Sequence, residues 1–347
     1  MKKELGIGAL LLIVCATVAF MNPRFISPTN LRNQGQLIGM YGIFSIGLGI
    51  IIITGGIDLS VGSMFALEGV ALSILLVERH WPWPLAVLAV IAGVVMLGVW
   101  HAFLITKIRI QPFIVTLCGL LIYRGLARDL ANDETKGFGS NNFGLLRTLA
   151  SGSVGKVFSP LAGSFIGNVP TPFVLLLIVA LIMWVALHHS VYGRYLYAVG
   201  RNEEAARYSG INTKLVIGSA YALSMFLAAI SGILFAFYTN SISPSSHGSF
   251  YELFGIAAAV VGGCSLRGGE GSILGIILGT VLLQVLQNIV NLEGIKSSRT
   301  YEFLGGVILA AAILDEIFGA RLAQRPAAVR DAPSASVPGG APPVESK

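Results

Sequence analysis

The chain has 347 residues, of which 23 are Lys or Arg and 17 are Asp or Glu, so 12% are charged and 54% are hydrophobic. A soluble domain usually carries about 25% charged residues, because its surface must be hydrated, so this composition excludes a water-soluble globular protein and predicts one whose solvent is largely lipid. The net charge of +6 does not indicate nucleic-acid binding, because the basic residues stand singly between apolar runs instead of forming a patch.

Apolar stretches of membrane-spanning length recur along the chain. A helix needs about 20 apolar residues, with about 17 to 25 as the range, to cross a hydrocarbon core of roughly 30 Å. The sequence therefore predicts an all-α polytopic membrane protein with about ten transmembrane helices in one domain, residues 1–318. The predicted spans are 5–21, 37–54, 61–77, 85–106, 112–127, 172–188, 215–238, 252–266, 272–290 and 302–318.

Two of these spans are short and adjoin glycine pairs. The span 61–77 follows Gly55-Gly56, and the span 252–266 precedes Gly268-Gly269. Interrupted helices are tolerated in a membrane only where they are buried in protein or line a cavity. We therefore expect both to be discontinuous or re-entrant, as is typical of transporters.

The turn between the second and third spans reads TGGIDLSVGS over residues 54–63. Its glycines, Gly55 and Gly56, permit a sharp change of direction. Asp58 or Ser60 can cap the helix that follows by accepting from its free N–H groups. A carboxylate beside two apolar runs is also a candidate for solute contact or gating. Both interpretations of Asp58 stay open, and Glu68 in the third span is expected to be buried and paired.

A polar loop at about 189–214 contains a short predicted helix. Asn202 is a suitable N-cap, acidic residues occupy the first turn, and Gly210 can end the helix. The helix is either a solvated linker or a docking element for a partner. The residues concerned are Arg201, Asn202, Glu203, Glu204, Ala205, Ala206, Arg207 and Gly210.

Amide side chains line one face of the ninth predicted span, at i, i+3, i+4 and i+7: Gln284, Gln287, Asn288 and Asn291. Amides in lipid require partners, so they either bond across helices as packing contacts or line a path for a hydroxyl-rich solute. Glu252, at the start of the eighth span, raises the same question.

Two segments outside the spans differ in composition. Residues 128–170 are rich in Gly, Ser and Asn and are predicted to form an outer loop that could meet a partner. Residues 319–347 are rich in Ala, Pro and Ser and are predicted to form a disordered tail, because they cannot bury enough apolar surface.

Several chemical signatures are absent from the sequence. It contains no G-x-x-x-x-G-K-[ST], H-E-x-x-H or G-x-S-x-G, and the spacing of Cys15, Cys118 and Cys264 indicates neither a disulfide nor a metal site. We therefore predict no catalytic residue, no metal site and no cofactor bound by this chain. An even number of spans places both termini on one side, and the distribution of Lys and Arg favours the cytosol.

Four motifs, in this order, resemble the ribose/xylose-type permeases of bacterial ATP-binding-cassette importers. They are TGGIDLSVGS (54–63), PFIVTLCGLLIYRGLA (112–127), YGRYLYAVGRNEEAARYSGI (192–211) and YELFGIAAAVVGGCSLRGGEGSILG (251–275), and the resemblance extends from about residue 22 to 316. The later Ile and Leu-Pro positions of the general EAA coupling signature are absent, since Ala220 stands where the Ile would fall.

The resemblance implies a type II importer-like permease bundle in the bacterial inner membrane, with cytosolic termini and no chemistry of its own. It implies a second permease, identical or different, a cytosolic ATPase that binds ATP and Mg, and a periplasmic binding protein that delivers a monosaccharide. The loop 200–210 would then be the coupling helix. The candidate path and gate residues are Gly55, Gly56, Asp58, Ser60, Glu68, Gln284, Gln287 and Asn288.

Two alternative classes remain at this point. An ion-coupled secondary transporter of a small polar solute would use Asp58 or Glu68 as its coupling carboxylate and would need no partner. A passive channel would need neither a coupling carboxylate nor a partner. The loop 200–210 distinguishes both classes from an ATP-driven importer, because only the ATP-driven mechanism requires it.

Overall fold

A computed structural model of the chain describes residues 2–139, 143–157 and 166–294, together with Arg299, Glu302, Gly305, Gly306, Leu309 and Ile313. These residues form a helical bundle with two isolated β-bridges and no strand among them. The helices are α1 (Lys2–Met21), α2 (Pro28–Ile53), α3 (Val61–Ser73), α4 (Trp83–Phe103), α5 (Pro112–Ala131), α6 (Gly144–Ser151), α7 (Val154–Val157), α8 (Thr171–Trp184), α9 (Val191–Arg201), α10 (Glu203–Tyr208), α11 (Thr213–Thr239), α12 (Tyr251–Val261) and α13 (Ile273–Leu292). Helices α3, α4 and α8 each continue through a π-helical turn, to Glu78, Ile108 and His189.

Within the described ranges, seven helices are long and apolar enough to cross a membrane. They are α1, α2, α3, α4, α8, α11 and α13, with α3, α4 and α8 counted through their π-helical turns. Each coincides with one predicted span, and the order along the chain is the predicted one. Helix α5 covers the predicted span 112–127, whereas α12 ends at Val261, five residues before the predicted end of the span 252–266.

The last predicted span, 302–318, lies outside the described residues except at five positions. The count of ten helices therefore stays a prediction. The predicted tail, 319–347, lies outside the described residues altogether.

Polar caps set where several helices begin. Ser27 accepts from the backbone N–H of Asn30 at the start of α2, where Pro28 occupies the first helical turn. Asn212 caps α11 and Ser272 caps α13 in the same way. These helix boundaries therefore follow from local residue chemistry.

Helix α2 is the centre of the bundle. Of its 18 most apolar consecutive residues, 94% are buried, and the helix packs against α8, α11, α12 and α13. Small residues permit the close approach, since a β-carbon at Gly47 would lie 3.0 Å from the Cα of Ser224 on α11. Helix α1 lies at the periphery against α13, and only 6% of its residues Glu4–Met21 are buried.

The two helices predicted to be discontinuous differ in length, since α3 with its π-helical turn has 18 residues, enough to cross a membrane, whereas α12 is short. Helix α2 ends at Ile53, residues 54–60 form an irregular turn, and α3 begins at Val61. Helix α12 has 11 residues and is therefore about 17 Å long, roughly half of a hydrocarbon core. We call the end of the bundle that carries α9 and α10 the α10 end, and the opposite end, which carries α6 and α7, the distal end.

Candidate coupling and translocation site

The short helix predicted in the loop 189–214 is α10. Asn202 caps it, because its Oδ1 accepts from the backbone N–H of Ala205 at 2.9 Å. Gly210 follows with φ of +84°, a left-handed conformation that ends the helix. The side chains of Glu203, Glu204 and Arg207 are exposed, whereas Ala206 is buried. The helix therefore presents a charged face away from the bundle.

Helix α10 is fixed to the bundle. The hydroxyl of Thr213, at the start of α11, donates to Oε1 of Glu203 at 3.1 Å. The backbone N–H of Ile211 donates to the carbonyl of Ala206 at 3.1 Å, and Ala206 packs in the main core. These contacts hold α10 against the start of α11, and the choice between a linker and a docking element stays a prediction.

A cavity of about 470 Å³ at the α10 end joins two of the predicted motifs. One wall comes from α10 and the start of α11, and the other from the turn that follows α2 and the residues between α4 and α5. Its lining includes Gly55, Gly56, Arg109, Glu203, Glu204 and Arg207. The tertiary structure thus places the glycine turn directly beside the loop 200–210.

Three glycine-bearing segments meet backbone to backbone at the same end. The backbone N–H of Gly269 donates to the carbonyl of Ile53 at 2.8 Å. A β-carbon at Gly268 would lie 2.6 Å from the carbonyl oxygen of Gly200 and 3.0 Å from the nitrogen of Gly55. A β-carbon at Gly200 would overlap the carbonyl oxygen of Ile53. We call this contact of residues 53–55, 200–201 and 268–269 the glycine junction.

A tyrosine strengthens the link between α9 and the 262–272 loop. The hydroxyl of Tyr197 donates to the carbonyl oxygen of Gly271 at 2.7 Å. Burial raises the pKa of Tyr197 to about 12. The hydroxyl therefore keeps its proton, and this hydrogen bond persists, throughout the physiological pH range.

Asp58 is completely buried in the turn. Its Oδ1 accepts from the backbone N–H of Ser60 at 2.8 Å and from the Ser60 hydroxyl at 2.7 Å. These are the local bonds that the structural interpretation of Asp58 requires. Oδ2 has no hydrogen-bond partner among the described residues. A direct contact between Asp58 and solute stays a prediction.

Two residues near this turn carry polar groups that the sequence analysis did not single out. The hydroxyl of Tyr123 and Nε2 of His101 lie 2.7 Å apart, and both side chains are buried. A β-carbon at Gly119 would touch both His101 and Ser60, so the pair lies close to the turn. Nothing in the local sequence indicates this contact, because it joins α4 to α5.

The carboxyl group of Glu68 is buried as predicted, but the predicted pairing is wrong within the described ranges. Neither of its oxygens has a hydrogen-bond partner there. The group packs against Gly232 of α11, where a β-carbon would overlap Oε1 of Glu68. Glycine has no side chain with which a carboxyl group could pair.

The amide stripe of α13 is divided between different environments. Asn288 exchanges two hydrogen bonds with Asn30 of α2, at 2.8 and 2.9 Å, so it is a packing contact. Gln284 is buried and its Nε2 has no partner among the described residues. Gln287 is half-buried and Asn291 is exposed.

Arg124 on α5 holds an irregular segment that sequence reasoning missed. Its guanidinium donates to the carbonyl oxygens of Pro244 and His247, at 3.1 and 2.8 Å. Those residues belong to residues 240–250, which connect α11 to α12. The signal available in the sequence was the run NSISPSSHGSF between two apolar stretches.

No group of three or more His, Cys, Asp or Glu in the described part of the chain is arranged to hold a metal ion. The three cysteines form no disulfide with one another.

Comparisons with known proteins agree with one another. A family model described as branched-chain amino acid transport system, permease component, matches residues 35–312. The ribose import permease protein of Bacillus subtilis (strain 168) is 35% identical over 317 residues, covering 90% of this chain and 92% of the relative. The corresponding protein of Escherichia coli (strain K12) is 38% identical over 316 residues, covering 88% and 91%.

A less similar relative has a different sugar in its name. The xylose transport system permease protein of Escherichia coli (strain K12) is 29% identical over 337 residues, covering 84% of this chain and 86% of the relative. No solved structure matches the chain.

Proposed function

Because this chain belongs to the permease family of ATP-binding-cassette importers, within its ribose/xylose-type branch, we propose that it is the membrane subunit through which a monosaccharide enters the cytosol. It is a multi-pass, non-catalytic subunit, and the energy comes from a partner ATPase. The relatives support this mechanism over an ion-coupled secondary transporter, since they are importer permeases.

The glycine junction is the observation that supports this function best. A ligand shifts a conformational equilibrium only through its differential affinity for the two states. ATP bound to the partner must therefore change the contact of that partner with α10. A displacement of α10 passes through Asn202 to Gly200 and Arg201 at the end of α9, which pack closely against Ile53 and Gly269. The turn 54–60 and the 262–272 loop are the parts that move.

Each end of the bundle then has its own partner. The exposed face of α10, with Glu203, Glu204 and Arg207, is where the ATPase docks, and ATP and Mg are bound by that subunit. The distal end, including the described part of the 128–170 loop, faces the periplasmic binding protein. A second permease completes the complex.

The orientation follows from the same assignment. The α10 end is cytosolic, in the inner membrane, as are both termini. A contact of the first helix supports the cytosolic N-terminus, because Glu4 accepts a hydrogen bond from the hydroxyl of Ser272, at the α10 end, at 2.6 Å.

The candidate path residues divide by environment. Gly55, Gly56, Asp58 and Ser60 belong to the turn that moves with the glycine junction. Asn288 serves in packing, because its amide exchanges both hydrogen bonds with Asn30. The path contacts proposed on α13 are therefore Gln284 and Gln287.

The experiment is a charge reversal on α10 with a matched control at the distal end. Glu204→Lys reverses an exposed charge on the proposed docking face, and Asp129→Lys reverses one near the distal end of α5. The tagged chain is captured in mild detergent from membranes of its own host. Its elution profile on a sizing column reports folding, and ATP hydrolysis is measured in the eluate.

We expect hydrolysis to co-purify with the wild-type chain and with Asp129→Lys, and to be lost with Glu204→Lys while the elution profile stays unchanged. Equal hydrolysis with both variants would reject α10 as the docking element. A wild-type chain that carries no hydrolase, yet still moves sugar in liposomes, would reject the ATP-driven mechanism itself.

A further inference from the structure

Residues 240–250, which we call the serine segment, form an irregular connection between α11 and α12. The segment contains Pro244, Gly248 and several hydroxyl side chains, and it is neither helix nor strand apart from one bridge residue. Its serines are Ser241, Ser243, Ser245, Ser246 and Ser249. The proposed function leaves this segment without a role.

One side of the serine segment is fixed to the bundle. Arg124 donates to the carbonyl oxygens of Pro244 and His247. Gly248 packs against the backbone of Gly62 at the start of α3, where a β-carbon would overlap the Gly62 carbonyl oxygen. At the distal end, Ile242 and Lys136 exchange backbone hydrogen bonds of 2.7 and 3.0 Å.

These anchors place the serine segment within the thickness of the bundle. Arg124 precedes Ala131, the distal end of α5, by seven residues, or about 10 Å along the helix. Helix α12 starts at Tyr251 and runs only about 17 Å towards the α10 end. The segment therefore descends from the distal surface to the level of Arg124.

The serine segment also has an exposed part, which contains hydroxyl side chains and the ring of Phe250. Ser241, Ser245 and Ser246 are exposed, whereas Pro244 and His247 are buried. Irregular backbone at membrane depth is tolerated only where it is buried in protein or lines a water-filled cavity. Exposed hydroxyls on such a segment are therefore compatible with water or with another protein surface, and they are poorly suited to lipid tails.

We propose that the exposed face of the serine segment lines the distal half of a water-filled path, where its hydroxyls exchange hydrogen bonds with a polyhydroxylated solute. This inference rests on the proposed function, and it assigns to Arg124 the role of a positioning residue. A serine hydroxyl both donates and accepts, so it can form a hydrogen bond with a sugar hydroxyl whatever the orientation of the sugar in the path. Arg124 keeps these hydroxyls towards the water by binding the carbonyls behind them.

The test is the water accessibility of introduced cysteines, which does not depend on the ATPase. In a background with Cys15, Cys118 and Cys264 replaced by Ala, we compare Ser245→Cys and Ser246→Cys with a control, Gly125→Cys.

Gly125 is a matched control for depth. It lies beside Arg124, is exposed, and has nothing within 4 Å of an added β-carbon. Its exposed neighbours Leu121, Ile122 and Leu126 form an apolar surface. Water is excluded from that surface whether lipid tails or a second permease covers it.

Host membranes are treated with a permanently charged methanethiosulfonate reagent, and the modified fraction is measured over time. A thiol reacts as its thiolate, which forms in water and not in hydrocarbon. We expect Ser245→Cys and Ser246→Cys to react about tenfold faster than Gly125→Cys, or more. Equal rates would overturn the proposal, and so would serine positions that an uncharged maleimide labels but the charged reagent does not.

The role of Arg124 is tested in the same assay. We expect Arg124→Lys to keep most of the difference between Ser245→Cys and the buried position His247→Cys, because an ammonium can still donate to a carbonyl. Arg124→Met should bring those two rates together while Gly125→Cys stays slow. A rise at all three positions would mean general loosening and would reject a positioning role. The labelling rates do not depend on whether Glu204→Lys removes the co-purifying ATP hydrolysis. The proposed path and the proposed docking of an ATPase can therefore be rejected separately.

Discussion

Substitution of Gly200 tests the glycine junction directly. Gly200 is a helical residue of α9, and a β-carbon there would overlap the carbonyl oxygen of Ile53 and lie 2.6 Å from the nitrogen of Gly269. Ordinary contacts between such atoms are about 3.5 Å. In Gly200→Ala the end of α9 must therefore move away from Gly269 and Ile53 by about 1–2 Å, and the Gly269-to-Ile53 hydrogen bond beside the added methyl group lengthens beyond a useful distance.

The magnitude follows from three contributions. Forcing an extra methyl group into a packed site costs about 1–3 kcal/mol, and the lost hydrogen bond adds about 0.5–1.5 kcal/mol. The better helix propensity of Ala offsets at most about 1 kcal/mol. We expect a net destabilisation of about 0.5–4.5 kcal/mol, confined to the contact between α9 and the two loops.

The assay compares Gly200→Ala with Gly125→Ala, whose added methyl group meets nothing within 4 Å. We measure the thermal unfolding midpoint in detergent, co-purifying ATP hydrolysis, and uptake of a panel of monosaccharides. Gly200→Ala should lower the midpoint and uptake while hydrolysis still co-purifies, because α10 itself is intact. If Gly200→Ala matches Gly125→Ala in stability and uptake, the backbone contact does not transmit motion and the glycine junction loses its proposed role.

Three further changes have expected outcomes. Tyr197→Phe removes the hydrogen bond to Gly271, so stability should fall by about 0.5–1.5 kcal/mol and uptake should fall with it; unchanged uptake would exclude this bond from coupling. Asn30→Leu and Asn288→Leu should each lower the stability of the chain. The double variant should recover part of that lost stability, with a coupling energy of about 0.6–1.7 kcal/mol. Additive effects of the two substitutions in the thermal assay would contradict the reciprocal hydrogen bonds. Glu68→Met should raise the unfolding midpoint, because it removes a buried group that has no partner among the described residues; a stable variant without uptake would support Glu68 as a path residue.

Local features of the fold could be predicted from the sequence because their causes are local. The length of each apolar run decides whether a helix can cross a membrane. Asn202, two acidic residues and Gly210 lie within one short stretch, so the bounds of α10 follow from capping chemistry. The glycine pair that follows α12 likewise indicated a short helix, whereas the pair before α3 marks a turn between two helices of spanning length.

Contacts between distant segments could not be predicted in this way. Asn288 bonds Asn30 across 258 residues of sequence, and the same periodicity on α13 places Asn291 in an exposed position. The sequence pattern identifies the face of a helix but not the helix it meets. The prediction that Glu68 is paired was wrong for this reason, because the sequence does not show that the residue opposite its carboxyl group is Gly232.

Span length, capping residues and four ordered motifs are readable along the chain, so they were enough to identify a helical membrane permease. Only the tertiary structure shows the glycine junction. It also shows the hydrogen bonds by which Arg124 holds the serine segment. The physical reason is that close packing depends on which surfaces meet, and residues far apart in the chain supply those surfaces jointly.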